Sequence, residues 1–117
     1  MNKKELGKYG EDIACKFLIK LGYKIIERNY RFGKGEIDII ADDNGTLVFV
    51  EVKTRENLNF GPPELAVTKA KQNQIRKIAS AYLYEKGIND TLCRMDVVAI
   101  LLLRKDTPQI NHLINAF

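Results

Sequence analysis

Residues 35–53 read GEIDIIADDNGTLVFVEVK, two apolar runs on either side of the dipeptide Asn44-Gly45. An Asn-Gly pair between such runs is the strongest short-range signal for a β-hairpin with a two-residue turn. The pattern therefore predicts one strand over residues 36–41 and a second over residues 46–53. The two strands would pair antiparallel, starting from the residues next to the turn.

The turn also determines which hairpin side chains share a face. One face carries only apolar pairs, as a surface turned towards the core should: Ala41 with Val48, Ile39 with Val50, and Ile37 with Val52. The opposite face pairs Ile40 with Phe49, Asp38 with Glu51, and Glu36 with Lys53. A four-residue turn would shift these partners by two without changing their face. An odd-length loop or a bulge would separate Asp38 from Glu51.

The opposed pair Asp38 and Glu51 predicts chemistry at this hairpin. Two carboxylates with Cβ atoms about 5 Å apart repel each other and destabilise a sheet, unless a cation lies between them. Oxygen ligands without Cys or His suit Mg²⁺ or Mn²⁺, and Lys53 would project beside the ion and assist the attacking water. The alternative is an exposed edge where Glu36 pairs with Lys53 and the acids are solvated. Spacing alone leaves these two readings even.

The segments around the hairpin follow helix and strand periodicities. Residues 4–21 have apolar positions three and four apart, which predicts an amphipathic helix closed by Gly22, and residues 23–30 read as a strand. Residues 54–61 read as a loop. We interpret this loop as an ordinary connection, in preference to a segment that closes over substrate with Phe60 near its tip.

A second helix is predicted to follow the Pro-Pro pair at residues 62–63, with Glu64 in its first turn and Gly87 at its end. Residues 95–103 form a nearly continuous apolar run, typical of a strand buried on both faces, and residues 110–117 read as a last strand at the sheet edge. The predicted order is α-β-β-β-α-β-(β). This order describes a single α/β domain of 117 residues, a sandwich with a mixed central sheet flanked by helices.

The scarcity of some residue types excludes several kinds of site. Two cysteines and one histidine are too few for a zinc site of thiolates and imidazoles. A Ser-His-Asp hydrolase would have to combine the only serine, Ser80 in a helical stretch, with His112, and is therefore disfavoured. The glycines form neither a phosphate loop nor a dinucleotide fingerprint. Carboxylates, lysines and a hard metal ion remain for catalysis.

Charge and hydropathy bear on partners and location. Nineteen basic and fifteen acidic residues give a formal net charge of +4, which permits a polyanionic partner. The basic residues form two clusters, Lys69, Lys71, Arg76 and Lys77 without an acid among them, and Lys24, Arg28, Arg31 and Lys34 diluted by Glu27 and Glu36. No apolar run approaches the roughly 18 residues of a membrane span, and no secretory signal is visible. We therefore expect a cytoplasmic protein with no membrane partner.

Three residues outside the hairpin are expected to meet its acidic end. Glu11 borders the apolar stripe of the first helix, and Lys71 and Gln72 extend the apolar row of the second helix with polar groups. For each residue alone, a boundary or snorkelling side chain is an equally good interpretation. Together they predict convergence on the paired carboxylates.

Several segments together match a known pattern. They are Gly35-Glu36-Ile37-Asp38-Ile39-Ile40, Val48-Phe49-Val50-Glu51-Val52-Lys53-Thr54-Arg55, Gly7-Lys8-Tyr9-Gly10-Glu11, Lys69-Ala70-Lys71-Gln72 and Arg94-Met95-Asp96-Val97-Val98. The hairpin resembles the PD-(D/E)xK motif of the restriction-endonuclease-like superfamily, and nearly the whole chain resembles the small bacterial YraN family. The leading proline of the nuclease motif is absent, and Ile37 stands in its place.

The resemblance implies a restriction-endonuclease-like sandwich with a tRNA-splicing-endonuclease-like core, similar to archaeal Holliday-junction resolvases. Carried over residue by residue, it makes Glu11, Asp38 and Glu51 ligands of Mg²⁺ or Mn²⁺ and Lys53 the catalytic lysine. A homodimer is compatible with it, since related resolvases act on two strands. The YraN family itself implies no particular substrate.

Residues and resemblance together lead to a metal-dependent nuclease that cuts phosphodiester bonds by in-line attack of a metal-activated water. Gln72 and Lys71 would position the scissile phosphate. Flanking phosphates would bind Arg31, Arg55, Lys69 and Arg76. Without an aromatic-rich reading surface, we expect recognition of nucleic-acid shape rather than sequence, with DNA favoured. The alternative is a non-catalytic nucleic-acid-binding or assembly module on the same fold, which would not need opposed acids.

Overall fold

The computed structural model describes every residue, Met1–Phe117, as two α-helices and five strands. In chain order the elements are α1 (Lys3–Lys20), β1 (Lys24–Phe32), β2 (Gly35–Asp43), β3 (Thr46–Arg55), a 3-10 turn (Pro63–Ala66), α2 (Lys69–Lys86), β4 (Cys93–Leu101) and β5 (Gln109–Leu113). The strands form one sheet in the order β1-β2-β3-β4-β5, antiparallel except for the parallel pair β3–β4 that α2 connects. The predicted mixed α/β architecture and the edge position of β5 are confirmed. Neither helix is long and apolar enough to cross a lipid bilayer.

The two helices cover opposite faces of the sheet. On one face Leu18 of α1 packs into a cluster with Val48 and Val50, and on the other Ile75 of α2 packs into a cluster with Phe49. Burial of one such side chain contributes about 1.5–3 kcal/mol relative to its exposure. The hairpin strands therefore lie in the middle layer, covered from both sides.

Local side chains determine where α1 begins and ends. Asn2 accepts a hydrogen bond from the Glu5 N–H at 2.8 Å, and the Glu5 carboxylate accepts one from the Asn2 N–H at 3.1 Å. This reciprocal capping box satisfies two of the free N–H groups at the helix start. At the other end Gly22 has φ +94°, which L side chains rarely adopt, so the predicted stop at Gly22 is confirmed.

The predicted start of the second helix is wrong. Pro63–Ala66 forms a separate 3-10 turn that contains Glu64, Val67 is extended, and α2 begins at Lys69. Thr68 is the N-cap, because its hydroxyl accepts a hydrogen bond from the Lys71 N–H at 3.2 Å. Gly87 ends α2 in the left-handed conformation at φ +62°, as predicted.

The hairpin register is confirmed from the turn as far as the pair Ile39–Val50. Beyond this pair the strands no longer pair, and Ile37 packs in the cluster under α2 whereas Ile39 packs under α1. The prediction that Ile37 shares a face with Ile39 is therefore wrong. On the β1 side, Asn29 lies opposite Asp38 but does not pair with it, and its φ is +54°. The alternation of β2 side chains between the two faces of the sheet is therefore interrupted at Asp38.

Candidate metal centre

The carboxylate of Asp38 occupies the gap where β2 and β3 stop pairing. In a continued ladder the Val52 N–H would bond to the backbone of Ile37. It donates instead to Asp38 Oδ2 at 2.8 Å. Asp38 is only 8% exposed, so this bond holds a buried carboxyl group between two diverging strands.

Glu11 of α1 and Glu36 of β2 lie beside Asp38. One ligand oxygen from each of these three carboxylates lies within 4.8 Å of the other two. Glu11 Oε1 accepts a hydrogen bond from Asn29 Nδ2 at 2.9 Å, which orients Glu11 from the neighbouring strand. The prediction that Glu11 reaches the acidic end is therefore confirmed.

Glu36 has an unused acceptor in this cluster. Its Oε2 atom is shielded from solvent and accepts no hydrogen bond, and its cationic neighbour, Arg31 Nη2, is 3.6 Å away. The alternative in which Glu36 pairs with Lys53 is thus wrong. Analysis of the sequence missed Glu36 as a ligand candidate, although its position two residues before Asp38 on β2 was a usable signal.

Glu51 of β3 meets Asp38 from the other side and is 3% exposed. Burial is the main cause that raises the pKa of Asp38 to about 8, and the hydrogen bond to Glu51 and the charge of Glu51 raise it further. The Val52 N–H and Lys71 act in the opposite direction. Burial beside Glu51 therefore disfavours the charged form of Asp38.

These residues fit a hard divalent cation. All the donors are carboxylate oxygens, one of them lacks a partner, and burial raises the pKa of Glu11 as well as that of Asp38. Crowded, partly desolvated carboxylates lower their free energy when a cation lies between them. A set of oxygen ligands suits Mg²⁺ or Mn²⁺ better than zinc or copper.

The two lysines and the glutamine that were expected at the acidic end of the hairpin do not all lie there. Lys71 Nζ lies 3.6 Å from Glu51 Oε2, so Lys71 reaches the acidic end as predicted. Lys53 is half-buried on β3 beside Ala99 and forms no ion pair. Gln72 does not join them, because its Nε2 donates to the Val67 carbonyl at 3.3 Å and its side chain lines a separate cavity.

The four basic residues that were expected to bind flanking phosphates also differ in their surroundings. Arg31 lies beside the carboxylates with 80% of its side chain exposed. Arg55 and Lys69 form no side-chain hydrogen bond or ion pair. The guanidinium of Arg76 lies 5.3 Å from the centre of the Phe117 ring, so a contact within the protein occupies it.

A polar cavity that the sequence did not reveal opens onto the carboxylates. It has a volume of about 660 Å³ and no hydrophobic residue in its wall. Its lining consists of Lys3, Lys4, Gly7, Lys8, Glu11, Arg28, Asn29, Arg31 and Glu36. The spacing of Lys4, Lys8 and Glu11 was the available signal, since positions i, i+4 and i+7 share one helix face.

A second buried polar group, Asp96 of β4, lies outside this site. It accepts from Arg94 Nε at 3.0 Å and from the Asn115 N–H at 3.0 Å, and it bonds to His112 Nε2 at 2.7 Å. Burial acts to raise the pKa of Asp96, but these hydrogen bonds outweigh it and lower the pKa. Because His112 is engaged here and Ser80 lies exposed on α2, no Ser-His-Asp triad is assembled.

Comparison with known proteins identifies a family that covers most of the chain. The profile of the family described as "Uncharacterised protein family UPF0102" matches residues 10–100, which include all four clustered carboxylates, Lys53 and Lys71. A UPF0102 protein of Geobacter sulfurreducens is 53% identical over 116 residues, covering 99% of this chain and 91% of the relative. UPF0102 proteins of Clostridioides difficile and Dictyoglomus thermophilum are 45% and 47% identical, and each alignment covers 100% of both chains.

Proposed function

This chain belongs to the UPF0102 family, also called YraN, and we propose that it is a metal-dependent nuclease. Its substrate would be nucleic acid, DNA in preference, selected by structure rather than by sequence. The observation that carries the proposal is the buried pair Asp38 and Glu51 at the end of the hairpin, with Glu11 beside it. We further propose that the α/β sheet is a restriction-endonuclease-like fold, similar to that of Holliday-junction resolvases.

Asp38, Glu11 and Glu36 would hold the Mg²⁺ or Mn²⁺ ion. Glu51 would contact this site through its hydrogen bond to Asp38. When bound, the ion would act as a Lewis acid, lower the pKa of a water and offset phosphate charge. Lys71 lies 3.6 Å from Glu51 and would hold this buried side chain in place.

Lys53 is suited to assist the attacking water. It projects from the same strand as Glu51, two residues further on, and no carboxylate of the protein neutralises it. A half-buried ammonium without a partner can hold or transfer a proton at Nζ, and it stabilises the extra negative charge that develops on a phosphate under attack.

The surroundings support nucleic acid as the substrate. The cavity beside the carboxylates has five basic side chains in its wall and no apolar one, which suits a chain of phosphates. Because no aromatic side chain lines it, contacts there would read the backbone and not the bases.

A non-catalytic nucleic-acid-binding module is the second candidate, and the basic cavity alone would serve it. The buried acids argue against this candidate. Two buried carboxylates side by side weaken the fold and repel the phosphate chain, so a pure binding role has no use for them.

The test is cleavage of labelled single-stranded, duplex, flap and four-way-junction DNA and of RNA with Mg²⁺ or Mn²⁺. We expect cutting by the wild-type protein that disappears with EDTA and in Asp38→Asn. The control Asp106→Asn, an exposed aspartate whose side chain is 72% accessible, should cut normally. Absence of both cutting and Mn²⁺ binding in the wild-type protein would reject the nuclease.

A further inference from the structure

The cavity beside the metal centre carries positive charge that the protein does not neutralise. Lys3, Lys4 and Lys8 are exposed, and none has a carboxylate oxygen within 4.0 Å. Arg31 is 80% exposed and is 3.6 Å from its acidic neighbour. By contrast, Arg28 is held by Asp12 at 2.9 Å. Three of the five basic side chains in the wall therefore form no ion pair, and the exposed guanidinium of Arg31 is also within reach of an external anion.

These cations lie along one line that leads to the carboxylates. Lys4, Lys8 and Glu11 share one face of α1, and the rise of an α-helix puts the first and last roughly 10 Å apart. Gly7 lies between them, with no atom within 4 Å of the position that a Cβ would take, so the helix backbone is open to close approach. Lys4 and Lys8 are about one helical turn apart, about 5.4 Å along the axis, so each can contact a different backbone phosphate.

The carboxylates and the cavity are physically continuous. Glu11 and Glu36 belong to both the cavity wall and the carboxylate cluster. An anionic chain that fills the cavity therefore arrives at Asp38 without crossing an apolar barrier.

Two basic residues of α2 are engaged within the protein. Lys71 is paired with the buried Glu51, and Arg76 is engaged by Phe117. The cavity that Gln72 lines has six hydrophobic residues among its nine and an acidic Glu64 in its wall.

We propose that this cavity binds the sugar-phosphate backbone of a single nucleic-acid strand, with phosphates along Lys4, Lys8 and Arg31. A volume of about 660 Å³ is that of a pocket for a drug-sized molecule, the size of one or two nucleotides and not of a duplex. Cleavage of the bound strand rests on the proposed function. Binding itself requires neither metal nor cleavage.

The test measures binding of a fluorescent oligothymidylate in EDTA over a series of NaCl concentrations. In Lys4→Gln/Lys8→Gln, the slope of log K against log salt should fall by about 1.4, since each phosphate contact on a single strand contributes about 0.7. The matched control is Lys16→Gln/Lys20→Gln, which removes the same charge from exposed positions of the same helix. It should leave the slope almost unchanged.

A second variant tests the same cavity without any substitution in α1, so an effect of the first variants on the folding of this helix cannot explain its result. Arg31→Gln on β1 should lower the slope by about 0.7, whereas Arg104→Gln, whose side chain is 77% exposed, should not. Equal changes of the salt slope in the cavity variants and in their controls would overturn the proposal. A duplex that binds more tightly than the single strand, and that shows the same decrease of the slope in the cavity variants, would also overturn it. If the cavity variants lose binding but no substrate is ever cut, the binding site stands and the proposed nuclease falls.

Discussion

At the scale of single residues, Asp38 combines a structural cost with the chemistry that we propose for it. Its carboxyl group replaces a ladder partner for Val52 and lies against Glu51 in a buried gap. A carboxylate so placed is unfavourable when charged and is relieved by a proton or a cation. Residues of this kind reduce stability in exchange for function.

The substitution Asp38→Asn should therefore stabilise the metal-free protein. An amide oxygen can still accept the Val52 N–H bond, and it carries no charge. Because the pKa of Asp38 rises from 3.8 to about 8 on folding, the wild-type protein loses stability as pH rises between these values, at most about 1.4 kcal/mol per pH unit. Thermal unfolding in EDTA should show an advantage of the variant that grows from pH 5 to pH 8 and then levels off.

The matched variant Asp106→Asn should show no such trend, since its side chain is exposed. An advantage of Asp38→Asn that is the same at pH 5 and pH 8 would contradict the raised pKa. Because the charge of Glu51 raises the pKa of Asp38, Glu51→Gln should move this pH window to lower pH.

At the scale of elements, the carboxylate cluster depends on how closely α1 approaches β3. A Cβ at Gly10 would lie 1.8 Å from Thr54 Oγ1 and 2.9 Å from Thr54 Cβ, so only glycine allows this approach. Glu11 follows directly in the sequence, and its distance to Asp38 is thereby set by the helix-to-strand contact.

Gly10→Ala should destabilise the protein by about 1–3 kcal/mol, as overpacking does, and weaken Mn²⁺ binding. Gly7→Ala on the same helix meets nothing within 4 Å and should instead stabilise the protein by about 0.5–1 kcal/mol. Urea unfolding of the two variants gives the comparison. If both alanines stabilise the protein alike, the proposed contact between α1 and β3 does not constrain the helix.

At the scale of the whole molecule, one buried network connects distant parts of the chain. Asp96 joins β4 to His112 of β5 and to the Asn115 N–H, while Arg94 also bonds to Asp43 of β2 at 3.1 Å and to Tyr23. This network holds the edge strand to the sheet, which its five residues alone would do weakly.

Asp96→Asn should cost on the order of 3–5 kcal/mol at pH 7, because Arg94 would lose its buried partner. The pKa of Asp96 is lowered from 3.8, so the stability it contributes is present above about pH 4 and is lost as pH falls through the folded pKa. The difference in the free energy of unfolding between the wild-type protein and the variant, measured by urea unfolding, should thus become smaller in acid. A gap that widens below pH 4 would refute this role for Asp96.

Local rules were sufficient for much of the fold. The two-residue turn determines the hairpin pairs near it, and Gly22 and Gly87 end their helices by adopting positive φ. The same rules brought Asp38, Glu51 and Lys71 together, since strand and helix periods determine which face a side chain takes. The cytoplasmic location and the homodimer stay predictions.

Other features depended on contacts between residues far apart in the chain. The side chains of β2 change faces at Asp38, where the left-handed Asn29 lies on β1 and the pairing with β3 ends, so Ile37 lies under α2 against the simple alternation. Gln72 turned away because the chain before α2 offered a backbone acceptor.

By itself, then, the sequence determined the elements, the hairpin register and the acids that could hold a metal, because turn chemistry and periodicity act between neighbours. Only the tertiary structure decided that Glu36 joins the carboxylates, that Lys4 and Lys8 face them across a cavity, and that His112 is bound to Asp96. These outcomes follow from the packing of α1 and of the strands on one another, and packing depends on distances that no local pattern encodes.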